Sequence, residues 1–162
     1  MRRLIVMRHA KSSWSSPAAR DIDRALNARG VASAKALGAW LRESGFAPEH
    51  VLCSSARRTA ETWETLDLPG EARFVSALYH ASAATILREV RAGEGESLLV
   101  LGHNPGIAAF ADMILREAPG HERFEDYPTG ATLIATFKGE WQDLSPGMAQ
   151  ADAFIVPRDL LG

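Results

Sequence analysis

Leu4-Ile5-Val6-Met7-Arg8-His9 is the segment that says most about the architecture of this chain. Four consecutive apolar residues are too few for a buried helix and are typical of a buried strand. Arg8 and His9 follow at once, so both side chains would project from the carboxyl end of that strand. Open α/β sheets form their ligand sites at this edge. A permanently charged guanidinium beside an imidazole that titrates near neutrality suits phosphate chemistry.

Beyond this segment, stretches typical of strands alternate with stretches typical of helices. Strands are expected at residues 4–7, 51–53, 72–75, 98–101, 132–137 and 154–156. Helices are expected at residues 27–44, 56–66, 83–91 and 107–115. Two sizeable loops remain, residues 11–26 and 119–130. The alternation predicts an α/β fold: a single domain over residues 1–162, with a largely parallel central sheet and helices on both faces.

Composition restricts the classes of partner. With 162 residues, 46% hydrophobic and 23% charged, the chain has the composition of one globular domain. A net charge of −2 provides no general attraction for nucleic acid or for an anionic membrane. One cysteine, Cys53, excludes an internal disulfide and fits a reducing compartment. No apolar run approaches the ~18 residues of a membrane span, and no signal sequence is evident, so a cytoplasmic location is expected.

Polar residues follow three of the predicted strands. Arg8 and His9 follow the first strand, the segment 54–58 (Ser-Ser-Ala-Arg-Arg) follows the second, and the segment 102–106 (Gly-His-Asn-Pro-Gly) follows strand 98–101. The carboxyl ends of parallel strands share one edge of a sheet, so these side chains should converge. Arginines and histidines near helix N-termini suit a multiply charged oxyanion.

With these three segments, the sequence resembles the histidine phosphatase superfamily, also called phosphoglycerate mutase-like, and in particular its SixA-type phosphohistidine phosphatase branch. The family opens with a strand ending in Arg-His-Gly, here Arg-His-Ala at residues 8–10. A second signature, a serine followed at intervals of four by arginine and threonine, is matched by Ser54, Arg58 and Thr62. The third, an apolar strand followed by a second histidine, is matched by His103.

The resemblance implies a phosphatase that works through a covalent phosphohistidine. His9 would be the nucleophile, with its other ring nitrogen donating to a backbone carbonyl and its pKa lowered by the nearby arginines. Arg8, Arg58 and His103 would hold the phosphoryl oxygens. Neither a metal nor another cofactor is expected. Further candidates for substrate binding are Lys11, Ser12, His80 and Asn104.

The chain departs from the family pattern in two places. Ala10 replaces the usual glycine, which is harmless if its backbone angles are ordinary. Residues 78–80 read Leu-Tyr-His where mutase-type members have a glutamate acid, so no carboxylate acid is evident and His80 is the remaining candidate. The charged residues Asp21, Asp23 and Arg24 are expected to form a local ion-pair network that orders the first loop.

Three function classes remain open from the sequence. The leading one is a metal-independent phosphatase acting on phosphohistidine in proteins. The alternatives are a broader phosphomonoesterase for small metabolites and a catalytically weak module that binds phosphoproteins. The partner would therefore be a phosphorylated protein or a phosphate-containing small molecule, with no role for nucleic acid or membrane; the oligomeric state stays open.

Overall fold

The computed structural model of the chain describes residues 1–14 and 20–162. Its strands are β1 (Arg2–Arg8), β2 (His50–Ser54), β3 (Ala72–Val75), β4 (Ser97–Gly102), β5 (Thr132–Phe137) and β6 (Gln150–Ile155). Its helices are α1 (Ala28–Glu43), α2 (Arg57–Leu66), α3 (Ala83–Arg91), α4 (Gly106–Ile114) and α5 (Pro157–Leu161). The predicted loop 11–26 is described except for residues 15–19, and it contains a short 3-10 turn at Asp21–Asp23.

One six-stranded sheet organises the molecule, in the order β3-β2-β4-β1-β5-β6. Strands β3, β2, β4 and β1 are parallel to one another, whereas β5 and β6 continue the sheet antiparallel. The strand predicted at residues 4–7 thus lies in the interior of the sheet, where a continuous apolar run is expected.

The alternating side chains of β1 divide the core in two. Leu4 and Val6 face the layer that contains α3 and α4, where Ile86 and Phe110 are buried. Ile5 and Met7 face the opposite layer, where Leu37 of α1 is among the buried residues. Because successive strand residues point to opposite faces, both faces must be covered by helices. The prediction of an α/β domain with a mostly parallel sheet and helices on both faces is confirmed.

The C-terminal region differs from the sequence prediction. β6 begins at Gln150, earlier than the predicted strand 154–156, because its polar first half pairs with β5 at an exposed edge of the sheet. The residues that follow form α5, a helix for which the sequence pattern gave no prediction. Pro157 occupies its first turn, and the Asp159 carboxylate accepts a hydrogen bond from Val156 N at 3.0 Å. Within residues 1–14 and 20–162, no helix has the length and apolar character needed to cross a bilayer.

Candidate active site

The register of the two central strands brings the two predicted histidines together. Arg8, the last residue of β1, pairs with Gly102, the last residue of β4. The residues that follow, His9 and His103, therefore lie side by side, with ring centroids 5.3 Å apart. The backbone N–H of His9 donates to Gly102 O at 3.1 Å. On the far side of β4, strand β2 ends at Ser54. The predicted convergence at the carboxyl ends of parallel strands is therefore observed.

His9 is held in one tautomer. Its Nδ1 lies 2.7 Å from the backbone carbonyl oxygen of Ala10, where it donates a hydrogen bond. Nε2 has no hydrogen-bond partner among the described residues and is the ring nitrogen left to react. Burial lowers the pKa of the His9 imidazole to about 3, and the charges of Arg8 and Arg58 add to that effect. Ala10 does not have a positive φ, so replacing glycine there causes no backbone strain.

Helix α2 fixes both the backbone after His9 and the second arginine. Thr62 accepts a hydrogen bond from Ala10 N at 3.0 Å, and its hydroxyl donates to Arg58 O at 2.7 Å. Arg58 is only 2% exposed although it lies in the first turn of a helix, where arginine is usually solvated. The Ser-Arg-Thr spacing thus places each member on the buried side of α2 or at its entrance.

His103 is positioned by Ser54. Its Nε2 lies 2.8 Å from the Ser54 hydroxyl, and its Nδ1 is buried without a partner among the described residues. When the hydroxyl donates to Nε2, the proton resides on Nδ1 and can be donated to a ligand. Burial lowers the pKa of His103 to about 3, with His9 and the Arg58 charge contributing. His103 is therefore a neutral hydrogen-bond donor rather than a cation.

The other side of the site is formed by the loop 119–130. The Tyr127 carbonyl oxygen accepts hydrogen bonds from Arg8 Nη1 at 3.2 Å and from Asn104 Nδ2 at 3.0 Å. Gly130 N donates to His9 O at 2.9 Å. This loop orients the first arginine and the candidate Asn104 together.

These residues enclose one pocket of about 380 Å³. Three buried nitrogen donors of pocket residues have no partner among the described residues: Arg8 Nε, Arg58 Nε and His103 Nδ1. Buried donors are normally satisfied, so this set indicates a ligand with several acceptor oxygens. The sequence-predicted residues all line the pocket: Arg8, His9, Lys11, Ser12, Arg58, His80, His103 and Asn104.

A carboxylate also lines the pocket, contrary to the expectation from the sequence. Asp21 pairs with Arg24 as expected, at 3.0 Å, but its Oδ2 also accepts from Arg58 Nη2 at 3.0 Å and from the Tyr79 hydroxyl at 2.6 Å. Partial burial alone would raise the pKa of the Asp21 carboxyl. The hydrogen bonds from Tyr79, Arg24 and Arg58 outweigh burial and hold this pKa well below its ordinary value. Asp21 is consequently an acceptor, not a proton donor, near neutral pH.

His80 lies beside this carboxylate. Its Nε2 is 3.2 Å from Arg58 Nη2 and 3.4 Å from Asp21 Oδ2, and its ring stacks on Tyr79 with centroids 4.2 Å apart. The Arg58 guanidinium donates to Nε2 when the ring proton of His80 is on Nδ1. Its φ of 50° is unusual for a side chain of this size, and such strain is common at functional sites.

The rim of the pocket contains residues that the sequence did not single out for the site. Arg24 donates to the Ser12 hydroxyl at 2.6 Å, and its guanidinium lies 3.6 Å from the ring centroid of Trp14, which is 81% exposed. Thr129 completes the lining. The position of Arg24 and Asp21 in a polar loop next to Arg8-His9 was the available signal. No cluster of three or more metal-ligating side chains occurs in the described part of the chain.

The family model of the histidine phosphatase superfamily (branch 1) matches residues 4–98. An uncharacterized protein of Mycobacterium tuberculosis is 37% identical over 159 residues, which cover 94% of this chain and 100% of that protein. An uncharacterized protein of Mycobacterium leprae is 34% identical over 161 residues, covering 94% of this chain and 100% of that protein.

Solved structures extend the likeness to the whole fold. A proposed phosphohistidine phosphatase SixA from Nakamurella multipartitia superimposes with a TM-score of 0.86 at 31% identity, covering 96% of each chain. The protein histidine phosphatase SixA complexed with tungstate has the same fold, with a TM-score of 0.79 at 22% identity over 98% of this chain and 99% of that one. The chain belongs to the histidine phosphatase superfamily, and it is a SixA-like phosphatase of the hydrolase class.

Proposed function

We propose that this phosphatase removes phosphate from phosphohistidine in proteins, without a metal, through a covalent intermediate on His9. The observation that carries the proposal is the geometry of His9: its Nδ1 is tied to Ala10 O, and its Nε2 has no partner among the described residues and lies in a pocket lined by two arginines. Burial lowers the pKa of this imidazole to about 3, which keeps it neutral at physiological pH. Arg8, Arg58 and His103 would hold the phosphoryl oxygens, while Lys11, Ser12, His80 and Asn104 would contact the rest of the substrate.

In the first step, Nε2 of His9 attacks phosphorus, and the phosphorus–nitrogen bond of the substrate breaks. The leaving imidazole departs neutral when its far nitrogen carries a proton. In the second step, water attacks the phosphorus on His9, and dihydrogen phosphate leaves with both water protons. His9 keeps its Nδ1 proton throughout, so its hydrogen bond to Ala10 O need not change.

The ionised Asp21 favours a nitrogen-linked substrate. An alkyl ester expels an alkoxide unless an acid protonates it, and a carboxyl with a strongly lowered pKa is a poor acid at neutral pH. A phosphoimidazolium instead carries its own proton, and a carboxylate can accept a hydrogen bond from that N–H. The open pocket, at the surface of a chain with few long loops, also favours a phosphorylated side chain on a folded protein. The single buried thiol, Cys53, supports the expected cytoplasmic location.

The mechanism is tested by trapping the intermediate. A phosphohistidine peptide labelled in its phosphoryl group should transfer label to wild-type protein and to the exposed-site control His50→Ala, but not to His9→Ala. His9→Ala should lose turnover and still bind vanadate, because the arginines remain. Activity should survive EDTA. Label transfer to His9→Ala, or activity that a chelator abolishes, would refute the mechanism.

The substrate is tested by comparing kcat/KM for a phosphohistidine peptide with that for a sugar phosphate and an aryl phosphate. We expect the phosphohistidine peptide to be preferred over the sugar phosphate, because only the latter requires an acid. A preference for the sugar phosphate would instead support a phosphomonoesterase for small metabolites.

A further inference from the structure

Two adjoining cavities lead away from the pocket of His9. The first, of about 280 Å³, shares Lys11 and Thr129 with that pocket. The second, of about 420 Å³, shares Arg29 and Arg158 with the first. We call these two cavities together the basic groove. Its cationic residues are Lys11, Arg29, Arg123 and Arg158.

The groove concentrates unneutralised positive charge in a chain whose net charge is −2. Among the described residues, no acidic side chain lines either cavity. The charged groups of Lys11, Arg29 and Arg158 are on exposed residues and have no ion-pair or hydrogen-bond partner in the described part of the chain. Only Arg123 is paired, with Asp126 at 2.9 Å. Three cations are therefore available to an external anion.

Arg29 is not placed to stabilise its own helix. It lies in the first turn of α1. This turn contains no acidic residue, and the helix is capped by the Asn27 side chain. A cation at a helix N-terminus is opposed by the helix dipole. An anion bound beside Arg29 would interact favourably with both the guanidinium and the helix end.

We propose that the basic groove binds an acidic segment of the phosphorylated partner protein, next to the phosphohistidine that enters the pocket. This inference rests on the proposed function. The shared residues Lys11 and Thr129 make the groove continuous with the site, so a chain leaving the pocket past Lys11 enters it. A small phosphate ester that fits the pocket does not reach Arg29 or Arg158. The groove thus discriminates between substrates by what lies beyond the phosphoryl group.

The test uses two peptides that each contain one phosphohistidine and differ only in having glutamate or glutamine on both sides of it. The groove variant is Arg29→Gln/Arg158→Gln, which leaves every pocket residue intact. Two exposed ion pairs of 0.2–1 kcal/mol each correspond to a loss of about 2- to 30-fold in kcat/KM for the glutamate peptide. The glutamine peptide and p-nitrophenyl phosphate should be hydrolysed as by wild type.

Arg73→Gln/Arg88→Gln is the matched control, since it removes the same charge from exposed residues outside the groove. It should behave as wild type on every substrate. Equal losses in the two double variants would show a general charge effect and overturn the proposal. Equal kcat/KM values of wild type for the glutamate and glutamine peptides would also overturn the proposal. A loss on p-nitrophenyl phosphate in the groove variant alone would make the groove part of the phosphate site instead.

A binding measurement separates this proposal from the proposed function. The glutamate peptide without phosphate, fluorescently labelled, should bind wild type and the control more tightly than the groove variant, and more weakly at high salt. If wild type hydrolyses neither phosphohistidine peptide, the proposed function fails. The binding of the labelled peptide, measured by fluorescence anisotropy, still shows whether the basic groove binds an acidic segment. Equal affinity of wild type and the groove variant for this peptide would overturn the proposal that the groove binds an acidic segment.

Discussion

Asp21 is the residue that most changes the description of this site. Its carboxylate binds Arg58 through Oδ2 at 3.0 Å, and its backbone oxygen accepts from the same guanidinium at 2.8 Å. The arginine is thereby held in place, but its charge is partly neutralised where a phosphoryl group must bind. Asp21 both positions the clamp and repels the anion.

Asp21→Asn should therefore bind inorganic phosphate more tightly. The amide can still accept from Tyr79, and the backbone contact to Arg58 is unaffected, while one like charge is removed. At the dielectric constant of bulk water, two unit charges about 4 Å apart repel by about 1 kcal/mol, which corresponds to roughly fivefold in the inhibition constant. Competitive inhibition by phosphate measures it. Weaker inhibition than in wild type would show that positioning of Arg58 outweighs the repulsion.

Arg58→Ala should lose both binding and turnover, because its hydrogen bonds serve the bound substrate and the transition state alike. The loss in kcat should be about 10²–10³-fold. Arg57→Ala is the matched control, since Arg57 is exposed and pairs only with Glu61 among the described residues. Comparable losses in the two variants would contradict the assignment of Arg58 to the site.

At the scale of elements, close contacts between helices and loops set the geometry around the two histidines. α4 begins at Gly106, three residues after His103, and a Cβ atom at this position would lie 1.8 Å from Ala81 O. Only glycine permits this approach, which keeps the loop carrying His80 against the start of α4.

Gly106→Ala should destabilise the fold by about 1–3 kcal/mol, although alanine is favoured over glycine within helices by up to about 1 kcal/mol. Because the displaced loop carries His80, kcat/KM should fall as well. Gly120→Ala is the control, since nothing lies within 4 Å of a Cβ atom there. Urea unfolding of both variants makes the comparison. A Gly106→Ala protein as stable as Gly120→Ala would exclude the tight contact.

The link between α2 and β1 depends on one hydroxyl. Thr62 is fully buried and is the acceptor for Ala10 N, next to the carbonyl that holds His9. Thr62→Val keeps the shape but leaves a buried N–H unsatisfied, at a cost of about 1–3 kcal/mol in the free energy of unfolding. Thr62→Ser keeps the hydroxyl and should retain most of the free energy of unfolding that Thr62→Val loses. If valine and serine variants unfold at the same urea concentration, the hydroxyl has no such role.

For the whole molecule, the site makes the fold sensitive to acid. His9 and His103 both have a pKa near 3 in the folded protein, against an ordinary value near 6.5 in the unfolded chain. Between these values the unfolded chain binds more protons than the folded one. The free energy of unfolding should therefore be largest above pH 6.5 and should fall as the pH drops from there toward 3.

Urea titrations at pH 7 and pH 5 measure this effect. Wild type should lose stability between the two pH values, and the variant His9→Asn/His103→Asn should lose less, because neither replacement titrates. The variant His50→Asn removes an exposed histidine outside the pocket and is the comparison. An equal loss in wild type and in His9→Asn/His103→Asn would place the acid sensitivity elsewhere.

Much of this architecture could be predicted from local patterns. The apolar runs 4–7 and 98–101 mark interior strands because both faces of a parallel sheet are buried, and the residues that follow them must meet at one edge. Arg8, His9 and His103 were therefore predictable together, whereas Arg58 was distinguished from its neighbour Arg57 only by the resemblance of the Ser54, Arg58 and Thr62 spacing to the family signature. Strand β6 and helix α5 were less predictable. The pairing of β6 with β5 and the packing of α5 on α1 are not encoded in these short segments themselves.

The tertiary structure alone shows that a carboxylate enters the pocket and that a basic groove adjoins it. Asp21 reaches Arg58 across 37 positions of sequence, and its neighbours along the chain suggested only a local ion pair. Lys11, Arg29 and Arg158 meet because the loop after β1, the start of α1 and the start of α5 come together in space. Hydrophobic periodicity encodes which face of an element is buried, whereas the proximity of charges depends on how distant elements pack.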